Sequence, residues 1–145
     1  MKTYTDIEQS KKLAEILPIE SADMHYNNGS CRGVDYTEHF SAELMPYQEA
    51  LHLMKIHKTN FMFQVIPCWS LAALLDILPP YLFEFERGID LNIYPNLNGK
   101  GWHCSYMPNS IENMKTYKFK LITSEDTIID ACYEMIIKLH EQKLL

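Results

Sequence analysis

The segment from Thr123 to Leu145, TSEDTIIDACYEMIIKLHEQKLL, restricts the possible folds more than any other part of the chain. Its apolar residues recur every three or four positions, which places their side chains on one face of an α-helix. These residues are Ile128, Ala131, Cys132, Met135, Ile136 and Leu139. Such a stripe must be buried against another element. Thr123 with Asp126, or Ser124 with Thr127, is the candidate cap of this helix.

Alternating apolar and polar residues predict the element that covers this stripe. The stretches YLFEFER (81–87) and IDLNIYP (89–95) alternate and predict a hairpin across Arg87-Gly88. WHCSYM (102–107) and YKFKLIT (117–123) predict two further strands. We therefore predict an α+β fold, with an antiparallel sheet of about four strands and two or more packed helices.

Shorter patterns predict three more helices and one more strand. Apolar spacing indicates helices over 6–17, 46–57 and 69–78, and Ser70 is a candidate cap of the last. The stretch NFMFQVI (60–66) is rich in strand-forming residues, and Pro67 is expected to end that strand. With 145 residues and no linker or repeat, the chain is predicted to form a single domain over 1–145.

Charge and hydropathy exclude some classes of partner. The formal net charge is −6, the only arginines are Arg32 and Arg87, and no basic run occurs, so we expect no nucleic-acid binding. No apolar run is long enough for a membrane span, so we expect no membrane partner. The first residues lack the apolar core of a secretory signal, which predicts a cytoplasmic protein with reduced thiols.

The cysteine pattern argues against a metal site. Cys31, Cys68, Cys104 and Cys132 are far apart, and no C-x-x-C pair occurs, so neither zinc nor a disulfide is expected. Phosphate-binding and dinucleotide-binding glycine motifs are absent from the sequence as well, so no cofactor is predicted.

The tetrapeptide PCWS (67–70) lies at a predicted strand-to-helix corner and has three interpretations. Cys68 is a candidate nucleophile, because a helix N-terminus lowers the pKa of a thiol, although the sequence fixes no histidine as its base. Trp69 offers a flat ring to a ligand. Alternatively, both side chains are core at a packed junction. No residue is assigned a catalytic role.

The stretch GKGWHCSY (99–106) is the second candidate. On a strand, Trp102, Cys104 and Tyr106 share one face, which either stacks on a planar ligand or packs into the core. Basic side chains nearby would meet an anion. The candidate ligand-binding residues are Cys68, Trp69, Arg87, Lys100, Trp102, His103 and Tyr106.

Three blocks, QSKKLAEILPIESADM (9–24), PCWSLAALLDILP (67–79) and DACYEMIIKLHEQKLL (130–145), together resemble a family of small uncharacterised proteins carried by phages and prophages of Bacteroidales bacteria. The resemblance implies a mobile-element context, in the cytoplasm of a bacterial host cell, and assigns no catalytic residue. It favours a non-catalytic accessory protein that binds a small ligand, in its sharper form an anti-defence sponge for a host nucleotide second messenger. The alternatives are a protein-interaction module that inhibits a host protein, and a small cysteine-dependent or hydrolytic enzyme. A homo-oligomer is compatible with each.

Overall fold

The computed structural model describes residues 2–28, 40–56, 65–82, 89–108, 110 and 120–145. The chain divides into two compact parts. The amino-terminal part is Tyr4–Ala73, and the carboxy-terminal part is Leu74–Leu145 together with Met1–Thr3. The prediction of a single domain over 1–145 stays a prediction.

The amino-terminal part combines short helices with a three-stranded antiparallel sheet. Its elements are α1 (Ile7–Ala14), a 3-10 turn (Ile19–Ser21), β1 (Met24–Asn28), β2 (Phe40–Glu43), α2 (Tyr47–Ile56), β3 (Val65–Cys68) and the start of α3 (Leu71–Ile77). The strand order is β2-β1-β3. Both α1 and α2 contact β3. Leu13, Tyr26, Cys68 and Trp69 are among the buried side chains of this part.

Local chemistry explains where these helices begin. Asp6 accepts a hydrogen bond from the Gln9 backbone N–H at 2.9 Å, and the Gln9 side chain accepts one from the Asp6 N–H, so α1 starts with a capping box. Ser70 caps α3 as predicted, because its Oγ accepts from the Ala73 N–H at 3.3 Å.

Pro67 does not end its strand, as we had predicted, but lies within β3 opposite His25 of β1. Among the described strands, β3 has a neighbour on one side only. Proline is tolerated in such an edge strand because its missing N–H can face away from the ladder.

The carboxy-terminal part contains β4 (Ile89–Pro95), β5 (Trp102–Pro108), β6 (Leu121–Glu125) and α4 (Ile128–Glu141). The strands form an antiparallel sheet in the order β4-β5-β6, and α4 packs against β5 and β6. The apolar stripe of α4 is buried as predicted, and Met135, Ile136 and Leu139 are fully buried. The cap is Thr127, whose Oγ1 accepts from the Asp130 N–H at 3.1 Å, so both predicted caps were wrong.

The predicted α+β class with antiparallel strands and packed helices is confirmed. The described strands form two sheets of three strands each. Most of YLFEFER lies outside the described residues, but Tyr81 bridges to Asp90 in the antiparallel sense. The predicted turn at Arg87-Gly88 includes residues outside the described ones, so it stays a prediction.

Candidate functional site

The two faces of the carboxy-terminal sheet differ in what they contact. Residues directly opposite each other on paired strands lie on the same face of a sheet. Thr123 of β6 is opposite Cys104 of β5, and its Oγ1 donates to the Ala131 carbonyl of α4 at 2.7 Å. The face that carries Cys104 and Thr123 is therefore the one that packs on α4.

Two cross-strand rows on the opposite face form the candidate site. One row runs through Ser105 and the other through His103, and together we call them the polar face. The rows are Asn92–Ser105–Ile122 and Tyr94–His103–Ser124. Ser105 and His103 belong to the central strand, β5, so they are the middle members of the two rows.

The middle residues hold buried polar atoms without a hydrogen-bond partner. Ser105 is 0% exposed, and neither its Oγ nor the buried Nδ1 of His103 has a partner. Within the described part of the chain, these are the only buried side-chain polar atoms in that condition. Buried polar groups in proteins are nearly always hydrogen-bonded, since leaving one unpaired costs roughly 1–3 kcal/mol. These two atoms mark the polar face as the candidate site.

An aromatic pair borders the same face. The rings of Tyr94 and His103 lie with their centroids 5.2 Å apart and their planes tilted by 40°. Tyr94 is 38% exposed, whereas His103 is half-buried. Asn92 is exposed as well, so solvent reaches the face along β4. The face thus passes from an exposed aromatic margin to a buried hydroxyl.

The turn before β5 carries Lys100 between two glycines. Gly99 and Gly101 both have positive φ angles, 74° and 82°. A Cβ on Gly101 would lie 2.6 Å from the Glu125 carbonyl oxygen, so this position requires glycine to let the turn approach the end of β6. The Lys100 side chain between the two glycines is exposed.

Other predicted site residues on β5 lie on the opposite side of the sheet from His103. Trp102 and Tyr106 share the face of Cys104, against α4. Tyr106 is fully buried, and its hydroxyl donates to the Pro79 carbonyl at 2.5 Å. Burial is the main cause that raises the pKa of Tyr106, with the nearby Cys104 and Cys132 thiols adding to it. The structure therefore separates His103 from Trp102 and Tyr106, and it leaves the Tyr106 ring no exposed surface.

Cys104 lies beside another thiol on that helix-facing side. A hydrogen bond with the Cys132 thiol of α4 and burial both raise the pKa of Cys104. Both cysteines are fully buried, and both carry free thiols, as does Cys68. Cys31 lies outside the described residues.

The PCWS corner belongs to the amino-terminal part and is packed throughout. Cys68 and Trp69 are both 0% exposed. The Trp69 indole N–H donates to Ser21 Oγ at 2.9 Å, which gives the ring's polar atom a partner inside the protein. Burial raises the pKa of Cys68, so this thiol holds its proton more firmly than an exposed one. These contacts favour the packed-junction interpretation of the corner.

A network of hydrogen bonds surrounds Cys68. Thr5 Oγ1 is 2.7 Å from Ser10 Oγ and accepts from the Trp69 N–H at 3.2 Å. The Thr5 carbonyl accepts from the Tyr26 hydroxyl at 2.6 Å and from the Cys68 thiol at 3.6 Å. Thr5 and Ser10 are fully buried, and each hydroxyl has a partner. We call these five residues the Thr5 network.

Sequence reasoning selected His103 and missed Ser105 and Tyr94, while Arg87 lies outside the described residues. The alternation of WHCSYM already placed His103 and Ser105 on one face. The missing signal was which face packs on the helix, because each face carries both apolar and polar residues.

Comparisons of the whole chain with protein-family models, with curated proteins and with solved structures give no match. Within the described residues, no three His, Cys, Asp or Glu side chains are grouped so that they could hold a metal ion. No helix in that part of the chain is both long enough and apolar enough to cross a membrane.

Proposed function

We propose that this protein binds a small polar ligand on the polar face of its carboxy-terminal sheet and performs no chemistry on it. The observation that carries the proposal is the pair of unpartnered buried atoms, Ser105 Oγ and His103 Nδ1, on adjacent rows of one strand. A binding site would explain them, since a ligand that docks at the exposed Asn92 and Tyr94 of the same rows and displaces what covers Ser105 would supply the missing partners.

The burial and raised pKa of the candidate nucleophile, Cys68, support binding without catalysis. Reactive cysteines lie in partly exposed surroundings that lower the thiol pKa. Cys68 is fully buried, and burial raises its pKa. Its contacts lie within the Thr5 network, which supports a structural role.

The resemblance to phage and prophage proteins supports a narrower version of the proposal. In this version the ligand is a nucleotide signal of the host, and the protein acts as a sponge that lowers its free concentration. Sequestration requires affinity and no reaction, which agrees with a site made of hydroxyl, imidazole and aromatic groups.

Native mass spectrometry of protein purified from bacterial cells tests the proposal. We expect a small-molecule adduct on the wild-type protein and on Thr3→Val, which loses an exposed hydroxyl outside the polar face. The adduct should be lost from Ser105→Ala. The proposal is wrong if wild-type protein carries no adduct, or if Ser105→Ala retains it at the wild-type level.

A further inference from the structure

We infer that Lys138 blocks the outer edge of β6 against pairing with β6 of a second copy of this chain. The Lys138 ammonium occupies a backbone carbonyl that the second copy would otherwise use, so two copies pair edge to edge only when that contact is lost. The inference concerns the edge of the carboxy-terminal sheet, and it does not depend on whether the polar face binds a ligand.

The two outer strands of this sheet meet different partners at their edges. An unpaired edge strand presents a row of N–H and C=O groups that a strand from another chain can join. Among the described strands, β4 and β6 each have a neighbour on one side only. On β4 the chain's own backbone meets the edge, because the Leu91 N–H donates to the Pro80 carbonyl at 3.0 Å. On β6 a side chain meets it, since Lys138 Nζ of α4 donates to the Ile122 carbonyl at 2.9 Å, and that contact is the one that a substitution can remove.

The strand register shows that the Ile122 carbonyl points away from the sheet. Leu91 donates outward to Pro80, so its backbone groups do not bond to those of Tyr106, which lies opposite it on β5. The backbone groups of Tyr106 therefore face β6, and those of Leu121, opposite Tyr106, face back towards β5. Since backbone direction alternates along a strand, the N–H and C=O of Ile122 face outward. Lys138 thus occupies an acceptor that an added strand would require.

The charge of Lys138 adds to this effect. The side chain is half-buried, with its donor already on the Ile122 carbonyl. A strand that paired at Ile122 would displace the ammonium and cover it, and a charge that loses both water and its acceptor is costly. Lysine is among the residues with which natural sheets protect their edges. Removal of the ammonium, with the aliphatic part of the side chain retained, should therefore open the edge to pairing.

The charges at the two ends of β6 favour a second copy as the partner. When two β6 strands pair antiparallel about a two-fold axis at Thr123, Ile122 lies opposite Ser124 of the second copy, and the outward-facing backbone groups of both residues are used. The same register places Lys120 opposite Asp126 of the second copy, one residue beyond each end of β6. Both side chains are exposed, and opposite charges directly across a strand pair attract. In this register the edge is therefore complementary to itself.

Sedimentation velocity over protein concentrations from about 1 µM to about 1 mM tests the inference. At the highest concentration we expect Lys138→Met, which lacks the donor, to show at least about three times the dimer fraction of wild type. Lys138→Arg, which keeps a charged donor, should sediment like wild type. So should Lys143→Met, the matched control, which removes the charge of another lysine, exposed near the carboxy terminus. Circular dichroism checks that each variant folds, and Lys138→Ala replaces Lys138→Met if the latter does not.

A charge reversal tests the register. In the Lys138→Met background, Lys120→Glu places like charges opposite each other at both ends of the interface, so the dissociation constant of the dimer should rise about tenfold. Adding Asp126→Lys exchanges the two charges and should restore the dimer. The inference is overturned if Lys138→Met sediments like wild type at every concentration, or if Lys120→Glu leaves the dissociation constant unchanged. It also fails if wild-type protein is already a dimer that Lys120→Glu weakens, because the β6 edge would then pair with Lys138 in place.

Discussion

The amino-terminal part buries the hydroxyls of Thr5 and Ser10, and the carboxy-terminal part buries that of Ser105. In the Thr5 network each hydroxyl has a partner, whereas Ser105 Oγ has none. The same chemical group is therefore used in two ways. A satisfied hydroxyl fixes the positions of its neighbours, and an unsatisfied one destabilises the protein until something binds it.

Burial alone does not distinguish the two regions, because both contain fully buried side chains. Cys68 and Trp69 drew attention in the sequence because they stand at the start of a helix, and both are buried with partners inside the protein. His103 and Ser105 stand in the middle of an ordinary strand, where their unpaired atoms mark them as candidates for binding.

The largest effect is expected for Trp69→Ala. The ring is fully buried, so its removal should lower the free energy of unfolding by about 4 kcal/mol, as measured by chemical denaturation. Ligand affinity of the folded fraction should be unchanged. Leu139→Ala, at another fully buried position, is the control for stability loss alone. If Trp69→Ala weakens binding and Leu139→Ala does not, the PCWS corner takes part in the site and the contrast fails.

Thr5→Val should have the next largest effect on stability. Valine keeps the shape of the side chain but leaves Ser10 Oγ and the Trp69 N–H without their shared partner. At roughly 1–3 kcal/mol for each buried group left unpaired, we expect a loss of about 3 kcal/mol in urea unfolding. A loss below about 0.5 kcal/mol would mean that these hydrogen bonds contribute little to the free energy of unfolding. The Thr5 hydroxyl would then stabilise the fold no more than the Ser105 hydroxyl does.

Much of the fold could be predicted because its signals are local. The stripe on α4 identifies that helix by its own spacing, and the alternation of WHCSYM identifies β5. Features that depend on neighbours were missed. Considered by itself, a proline predicts the end of a strand. Pro67 instead lies within β3, an edge strand of the described sheet, where the missing N–H can face away from the neighbouring strand.

The candidate site was only half predictable for a related reason. Strand periodicity places His103 and Ser105 on one face, and Trp102 and Tyr106 on the other. Which face packs on α4 depends on neighbours such as Thr123, Cys104 and Cys132, which meet only once the chain has folded. The aromatic face of β5 resembled a stacking surface in the sequence, but in the folded protein it faces the helix.

Alkaline pH should destabilise the protein, in part through the Thr5 network. Burial raises the pKa of Cys68 above its ordinary value of 9.0, so the folded protein keeps this proton at a pH where the unfolded chain loses it. The stability that Cys68 contributes is thus complete below about pH 9 and declines as the pH rises through the folded value. Unfolding free energies measured between about pH 8 and pH 10 should fall less steeply in Cys68→Ser than in wild type. Equal slopes would refute this assignment.

The smallest change in stability is expected for Ser105→Ala, and its sign is what matters. The hydroxyl is buried without a partner, so its removal takes away an unsatisfied group and leaves only a small cavity. The free energy of unfolding without ligand should therefore stay the same or rise by up to about 1 kcal/mol, as measured by urea denaturation. Thr5→Val, which also removes one buried hydroxyl, should lower it. A loss of more than about 1 kcal/mol in Ser105→Ala would mean that the hydroxyl is already satisfied in the folded protein, by an internal water for example. Ser105 would then be structural like Thr5, and the polar face would lose the observation that marks it as a binding site.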